Sequence, residues 1–160
     1  GSTKQINTLE NDWLVFYAKH RLGYQLELAA RHGGAHIESI GQKLINNLSC
    51  FYTDYNPQPG LLHGDLWGGN AGFDGKGNPV IFDPAVYFGD READIAMTEL
   101  FGGFSPEFYQ AYNKAYPLNG GYQTRKKLYN LYHILNHYNM FGGGYLSQAS
   151  SMISQLNACY

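Results

Sequence analysis

Asp65, Asn70 and Asp83 carry oxygen atoms of the kind that accept a proton or hold a hard cation, and they stand close together in the chain. The first two lie within His63-Gly64-Asp65-Leu66-Trp67-Gly68-Gly69-Asn70, and the third in Ile81-Phe82-Asp83-Pro84, at the end of a short apolar stretch. Moving a phosphoryl group to an alcohol requires an acceptor for the hydroxyl proton. It also requires oxygen ligands that hold a divalent ion against the phosphates while charge redistributes. On spacing, Asp65 reads as the group that orients the substrate hydroxyl and takes its proton, a role in which geometry counts before basicity. Asn70 and Asp83 read as magnesium ligands, because one carboxylate, one amide oxygen, nucleotide phosphates and water form a suitable shell.

The neighbours of these residues admit more than one use. His63 reads as a structural histidine that braces the loop. Trp67 is either core or an indole that presents a flat face to a sugar. Gly68-Gly69 allows a sharp turn towards the ion. In Gly89-Asp90-Arg91-Glu92-Ala93-Asp94, Asp94 falls where a helix should begin and reads as its N-cap, while Asp90, Arg91 and Glu92 either touch a ligand or belong to a solvated loop. A His-Gly-Asp triplet alone is weak, since aspartate and glycine are common in turns. A metal-dependent hydrolase built from His63, Asp65, Asp83 and Asp90 stays open as an alternative. His20, His32, His36, His133 and His137 form no metal-binding motif; the last two share a helix face and suit packing against tyrosines.

These groups need a frame, and the patterning supplies one that is mostly helical. Apolar positions from Asn7 to Arg31 (Leu9, Trp13, Phe16, Tyr17, Leu26, Leu28) recur at helical spacing, with Asn7 or Thr8 and Glu10 as a cap and His32-Gly33-Gly34 as a stop. A second helix is expected from Ala35 to Tyr52, with Ile37, Ile40, Leu44, Ile45 and Leu48 along one face. After the turn-rich 55–60, Leu61-Leu62 leads into the motif. Asn70 to Phe73, a turn at 74–78 and Pro79 to Phe82 then form a β-hairpin. An irregular stretch, 83–91, precedes a short helix over 93–101. Ser105-Pro106-Glu107 opens another, ending near Pro117. Leu128, Leu131, Tyr132, Leu135, Tyr138 and Phe141 mark a helix over 124–141, and Leu146, Met152, Ile153 and Leu156 a last one after Gly142-Gly143-Gly144. The expected class is α+β, predominantly α-helical, in one domain over 1–160 with a small hairpin that carries the catalytic and metal loops.

Composition narrows the partners. A net charge of −2 leaves no broad basic field to gather nucleic acid or anionic lipid, so any anionic ligand must be held locally. The charged fraction is 15% and the aromatic fraction 16%, with fourteen tyrosines, which suggests a large contact surface. Two cysteines, Cys50 and Cys159, make neither a disulfide scaffold nor a metal site, and point to a reducing, cytoplasmic setting. No apolar run reaches the ~20 residues a membrane helix needs. Gly1-Ser2-Thr3 reads as a cloning remnant or a cut into a longer reading frame.

HGDLWGGN at 63–70, DPAVYFGDREADIAMTELFGGF at 83–104 and LNHYNMFGGGYL at 135–146 together resemble the C-terminal lobe of the fructosamine (ketosamine) kinase family, relatives of aminoglycoside and choline kinases with a protein-kinase-like fold. The resemblance implies transfer of the ATP γ-phosphate, with Mg2+, to a sugar hydroxyl of a small or protein-linked ketosamine, followed by deglycation. It implies Asp65 as catalytic base, Asn70 and Asp83 as magnesium ligands, and Asp94 as the helix-start aspartate that braces the catalytic loop. The family's glycine-rich nucleotide loop, strand lysine and partner glutamate belong to an N-terminal lobe that these 160 residues lack. The isolated chain is therefore expected to be inactive, and to expose a nucleotide-facing wall including Phe73 and Ile81 that favours self-association. A kinase for another small alcohol, such as an aminoglycoside or choline, and a non-catalytic kinase-like binding module are the rival readings.

Overall fold

The computed structural model describes residues 2–160. The helices are α1 (Trp13–Phe16), α2 (Tyr24–Ala29), α3 (Ala35–Asn46), α4 (Arg91–Leu100), α5 (Pro106–Ala115), α6 (Tyr122–Phe141) and α7 (Tyr145–Asn157). Strands β1 (Pro59–Leu62), β2 (Ala71–Phe73), β3 (Pro79–Ile81) and β4 (Tyr87–Asp90) lie between α3 and α4. The protein is thus mixed and mostly helical, with two small antiparallel sheets, β1–β4 and β2–β3. Among the described residues no helix is long and apolar enough to cross a membrane.

The chain divides into two compact units: residues up to Asp54 with Asn130–Tyr160, and Tyr55–Tyr129. In the first, Asp12 caps α1 by accepting the Val15 amide at 3.0 Å. The helix therefore starts at Trp13 rather than near Asn7, and Leu9, 84% exposed, is no part of its apolar stripe. Glu10 instead takes hydrogen bonds from Lys19 and His20, each at 3.1 Å. Asn7 accepts from the buried Arg21 guanidinium at 2.9 Å, which ties the extended N-terminal segment to the helix below it. Wide helical turns over Tyr17–Gly23 and Ala30–Gly34 join α1, α2 and α3, and the chain kinks at Gly33, whose φ is 95°. The expected second helix breaks at Asn47, whose side chain folds back onto the Lys43 carbonyl at 2.9 Å, and a short tight turn over Leu48–Tyr52 follows. Leu22, Leu26, Ile37, Leu44, Ile153 and Leu156 fill the core of this unit. Phe141, expected on the buried stripe of α6, lies at the surface.

The second unit holds both sheets. In the β2–β3 hairpin Ala71 pairs with Ile81 and Phe73 with Pro79. Its turn is closed by Asp74, whose carboxylate accepts the Lys76 and Asn78 amides, both at 2.8 Å. The ribbon of β1 and β4 was not expected, because four-residue strands containing Gly60 and Gly89 show little alternation. It lines up Leu62 with Tyr87 and Pro59 with Asp90. Helix α4 begins at Arg91, two residues before the expected start, because Asp90 caps it.

Candidate functional site

β1 delivers the chain from Leu62 into His63 and Gly64, and the backbone there is held from two sides. The His63 carbonyl accepts the Ala85 amide at 2.8 Å. The Asp94 carboxylate, reaching from α4, accepts the amides of His63 at 2.7 Å and Gly64 at 2.8 Å. Gly64 has φ +80°, and a Cβ on it would stand 2.1 Å from the Ala85 carbonyl oxygen, so only glycine fits on both counts. Burial raises the Asp94 carboxyl above its ordinary range, and the two amides it receives counter that in part. Asp94 is therefore a loop brace inside the first turn of α4; the N-cap is Asp90, which accepts the Glu92 amide at 3.0 Å.

Both ring nitrogens of His63 are engaged. Nδ1 accepts the Asp65 amide at 3.3 Å, which leaves Nε2–H to donate to the Phe82 carbonyl at 2.9 Å. That pairing fits a neutral imidazole that clamps the Asp65 segment to the end of β3, with no nitrogen left over for a metal ion.

Asn70 joins the two loops that flank the hairpin. Its amide nitrogen donates to the Asp65 carbonyl at 2.9 Å and to the Asp65 carboxylate at 3.1 Å, with the Asp83 carbonyl 3.5 Å away. The Asn70 backbone carbonyl accepts the Phe82 amide at 3.0 Å. Asn70 is buried, Asp65 half-buried and Asp83 exposed. Asp83 has φ +52°, a left-handed conformation that costs a side-chain-bearing residue on the order of 1 kcal/mol. The turn it makes sends Pro84-Ala85 back to His63. Asn70 thus touches the carboxylate and backbone of Asp65 and lies beside the backbone of Asp83.

This arrangement can do specific chemistry. With the amide nitrogen directed at Asp65, the Asn70 side chain offers Oδ1 as its remaining polar atom, and Asp83 offers a solvent-facing carboxylate. Both are hard oxygen donors that suit magnesium. Asp65 keeps a carboxylate capable of accepting a proton.

Trp67 is 38% exposed and belongs to no core. Its indole meets Phe101 edge to face at 6.2 Å and lies over Gly69, where a Cβ would come within 2.3 Å of the ring. Phe73 and Ile81 are 77% and 62% exposed on the hairpin, with Val80 and Phe82 also in solvent.

Five residues that spacing did not single out as a set complete the support. Asp90 and Glu92 are buried rather than part of a solvated loop. Asp90 accepts the hydroxyls of Tyr55, at 2.7 Å, and Tyr129. Glu92 is held by Arg125 through Nε at 2.7 Å and Nη2 at 3.1 Å, and Arg125 also donates to Asn119 and stacks over the Tyr55 ring at 4.1 Å. Burial pushes the Glu92 carboxyl up, with Arg125 opposing. Arg91 turns away, to the Tyr112 hydroxyl and the carbonyls of Tyr116 and Pro117. The available signal was on α6: Tyr122, Arg125 and Tyr129 recur at helical spacing beside Leu128, which puts a guanidinium on an apolar face where it needs a buried acid. With Asp90 engaged in this way, the hydrolase alternative loses a ligand. Among the described residues no three His, Cys, Asp or Glu side chains gather to hold a metal ion.

The family model described as Fructosamine kinase matches residues 1–158. A probable ketoamine kinase of Synechocystis is 52% identical over 97% of this chain and 52% of its own length. A chloroplastic protein-ribulosamine 3-kinase of Arabidopsis thaliana is 50% identical over 96% of this chain and 47% of its own. The fold is similar to that of a candidate fructosamine-3-kinase from Thermobifida fusca, with a TM-score of 0.88 at 33% identity, covering 98% of this chain and 55% of the other. The chain spans about half the length of the curated relatives it matches.

Proposed function

The chain belongs to the fructosamine kinase family, and from that premise we propose that it forms the catalytic, kinase-like C-terminal lobe of an enzyme that phosphorylates a sugar hydroxyl of ketosamine adducts, with ATP as donor. The observation that supports the reading is the Asn70 side-chain amide hydrogen-bonded to the Asp65 carboxylate, with the Asp83 backbone carbonyl 3.5 Å away, which sets the proposed proton acceptor beside one proposed ligand and the backbone of the other. Asp65 orients the acceptor hydroxyl and takes its proton as the new bond forms. Asn70 Oδ1 and the Asp83 carboxylate would hold Mg2+, which when bound neutralises charge on the phosphates. His63 and Asp94 fix the loop so that Asp65 does not wander. Trp67 lays its exposed indole against the sugar, since a ring pinned between Gly69 and Phe101 loses little freedom on binding.

Phe73 and Ile81 form part of the nucleotide-facing wall. The glycine-rich loop and the lysine that order the phosphates come from the part of the family's length outside these 160 residues, and that part covers the same wall. Alone, the chain has little or no kinase activity and self-associates through the uncovered face. Its substrates are small or protein-linked ketosamines.

The test uses the full-length enzyme containing this chain, MgATP and a synthetic fructosamine. The unaltered enzyme should phosphorylate the ketosamine. Asp65→Asn should lower turnover ~10^3-fold while changing nucleotide affinity less than about threefold. Undiminished turnover would remove Asp65 from the mechanism, and transfer by the 160-residue chain alone would refute its dependence on the remainder.

A further inference from the structure

Three carboxylates at Asp90, Glu92 and Asp94 alternate through the start of α4, and each is bound to a different part of the Tyr55–Tyr129 unit. Asp90 takes the hydroxyls of Tyr55 and Tyr129, Glu92 takes both arms of Arg125, and Asp94 takes the amides of His63 and Gly64. Arg125 and Tyr129 lie one turn apart on α6, so a single helix face holds the first two carboxylates, and the third reaches the catalytic loop. We propose that Arg125 and Tyr129 are positioning residues for the catalytic loop: by fixing Glu92 and Asp90 they set the rotation of α4 about its own axis, and so the aim of Asp94 at the His63 and Gly64 amides.

The physical reason lies in what apolar packing cannot specify. Ala93, Ile95, Ala96 and Met97 bury the helix, but hydrophobic contact is non-directional and tolerates small rotations. Hydrogen bonds at 2.7–2.8 Å do not, since they weaken steeply as the donor angle falls. Asp94 sits one turn beyond Asp90, so a rotation of a few tens of degrees would carry its carboxylate off both amides. A buried ion pair is a weak contributor to net stability and is often replaceable by apolar side chains; its attested use is to select one arrangement among several. The role here is that selection. The β1–β4 register adds to it, because Pro59 pairs with Asp90 at one end of the ribbon while Leu62 feeds the loop at the other.

The inference deepens the kinase reading, and rests on it only for the consequence in turnover; the test reads loop geometry directly. Amide hydrogen exchange and amide proton shifts are measured by NMR on the 160-residue chain carrying Glu92→Leu with Arg125→Met. The paired apolar replacement should keep the chain folded, yet raise exchange at His63 and Gly64 at least tenfold relative to Ile95 and Ala96, and remove the downfield shifts that donation to a carboxylate produces. Unchanged relative exchange and shifts would make the pair a plain structural contact and overturn the proposal. If the double variant fails to fold, Tyr129→Phe, which deletes one hydroxyl, is read in the same way: a rise of at least threefold confined to His63 and Gly64 supports the role, and a uniform rise or none overturns it. In the full-length enzyme the same variants should lower kcat and leave KM within twofold. Absence of phosphate transfer by the unaltered enzyme would strike the kinase reading alone.

Discussion

The start of α4 and the β2–β3 hairpin belong to the same compact unit and treat their side chains in opposite ways. Around α4, Asp90 and Glu92 are buried and Asp94 half-buried, and every one of these acids has hydrogen-bond donors. In the hairpin Phe73, Val80 and Ile81 stand in solvent, although apolar side chains are the ones water should drive inward. A fold that buries acids and exposes rings is organised around a site rather than around its own stability. Asp94 holds a loop, and the proposed reading assigns the exposed apolar side chains to the nucleotide-facing wall.

That contrast can be pressed from its stronger end. Gly64→Ala would combine a left-handed backbone with a 2.1 Å clash against the Ala85 carbonyl, so it should cost ~3 kcal/mol or more in urea unfolding, or displace the loop. A loss under about 1 kcal/mol with the His63 and Gly64 amides still bound to Asp94 would show that the loop is less constrained than these contacts imply.

A buried polar group in the other unit supplies the next test. His133 is buried, and desolvation, aided by His137 and Arg21, pushes its imidazole down to about 3. The unfolded chain takes up a proton below about 6.5 and the folded chain does not until near 3, so this residue's share of stability is present at neutral pH and is lost as pH falls from 6.5. The loss should reach roughly 2–3 kcal/mol by pH 4.5. His133→Leu should flatten the stability curve over that interval, measured by urea unfolding at pH 7 and 4.5. An unchanged slope would assign the acid sensitivity elsewhere.

The smallest effect is expected at the hairpin. Phe73→Ser with Ile81→Ser removes side chains that contact little, so stability should move by no more than about 0.5 kcal/mol, while self-association seen by sedimentation should fall sharply. A strictly monomeric parent chain, or a large loss of stability in the variant, would break the contrast.

Much of the site was legible because its chemistry is local in sequence. Asp65, Asn70 and Asp83 flank one hairpin, and Asp74 followed by glycines at 75 and 77 marks its turn, so short-range patterns sufficed. The helices α3, α6 and α7 were legible from their periodicity, and α5 from the Ser105-Pro106 start. What stayed hidden depends on contacts distant in sequence. The β1–β4 ribbon joins segments about 28 residues apart through glycine-containing strands with no alternation to read. Asp90 and Glu92 look like a charged loop until Tyr55, Arg125 and Tyr129 are brought to them. Leu9 was misplaced because an apolar residue before a cap resembles one within the helix, and only the Asp12 to Val15 bond marks the boundary.

The central claim is that Asn70 and Asp83 hold one divalent ion beside the proton acceptor Asp65, and manganese tests it most directly. Paramagnetic Mn2+ titrated with ATP into the 15N-labelled chain should broaden the amides around 65, 70 and 83 first, and Asp83→Asn should abolish that pattern. Sharp signals at those three positions while carboxylates elsewhere broaden would contradict it.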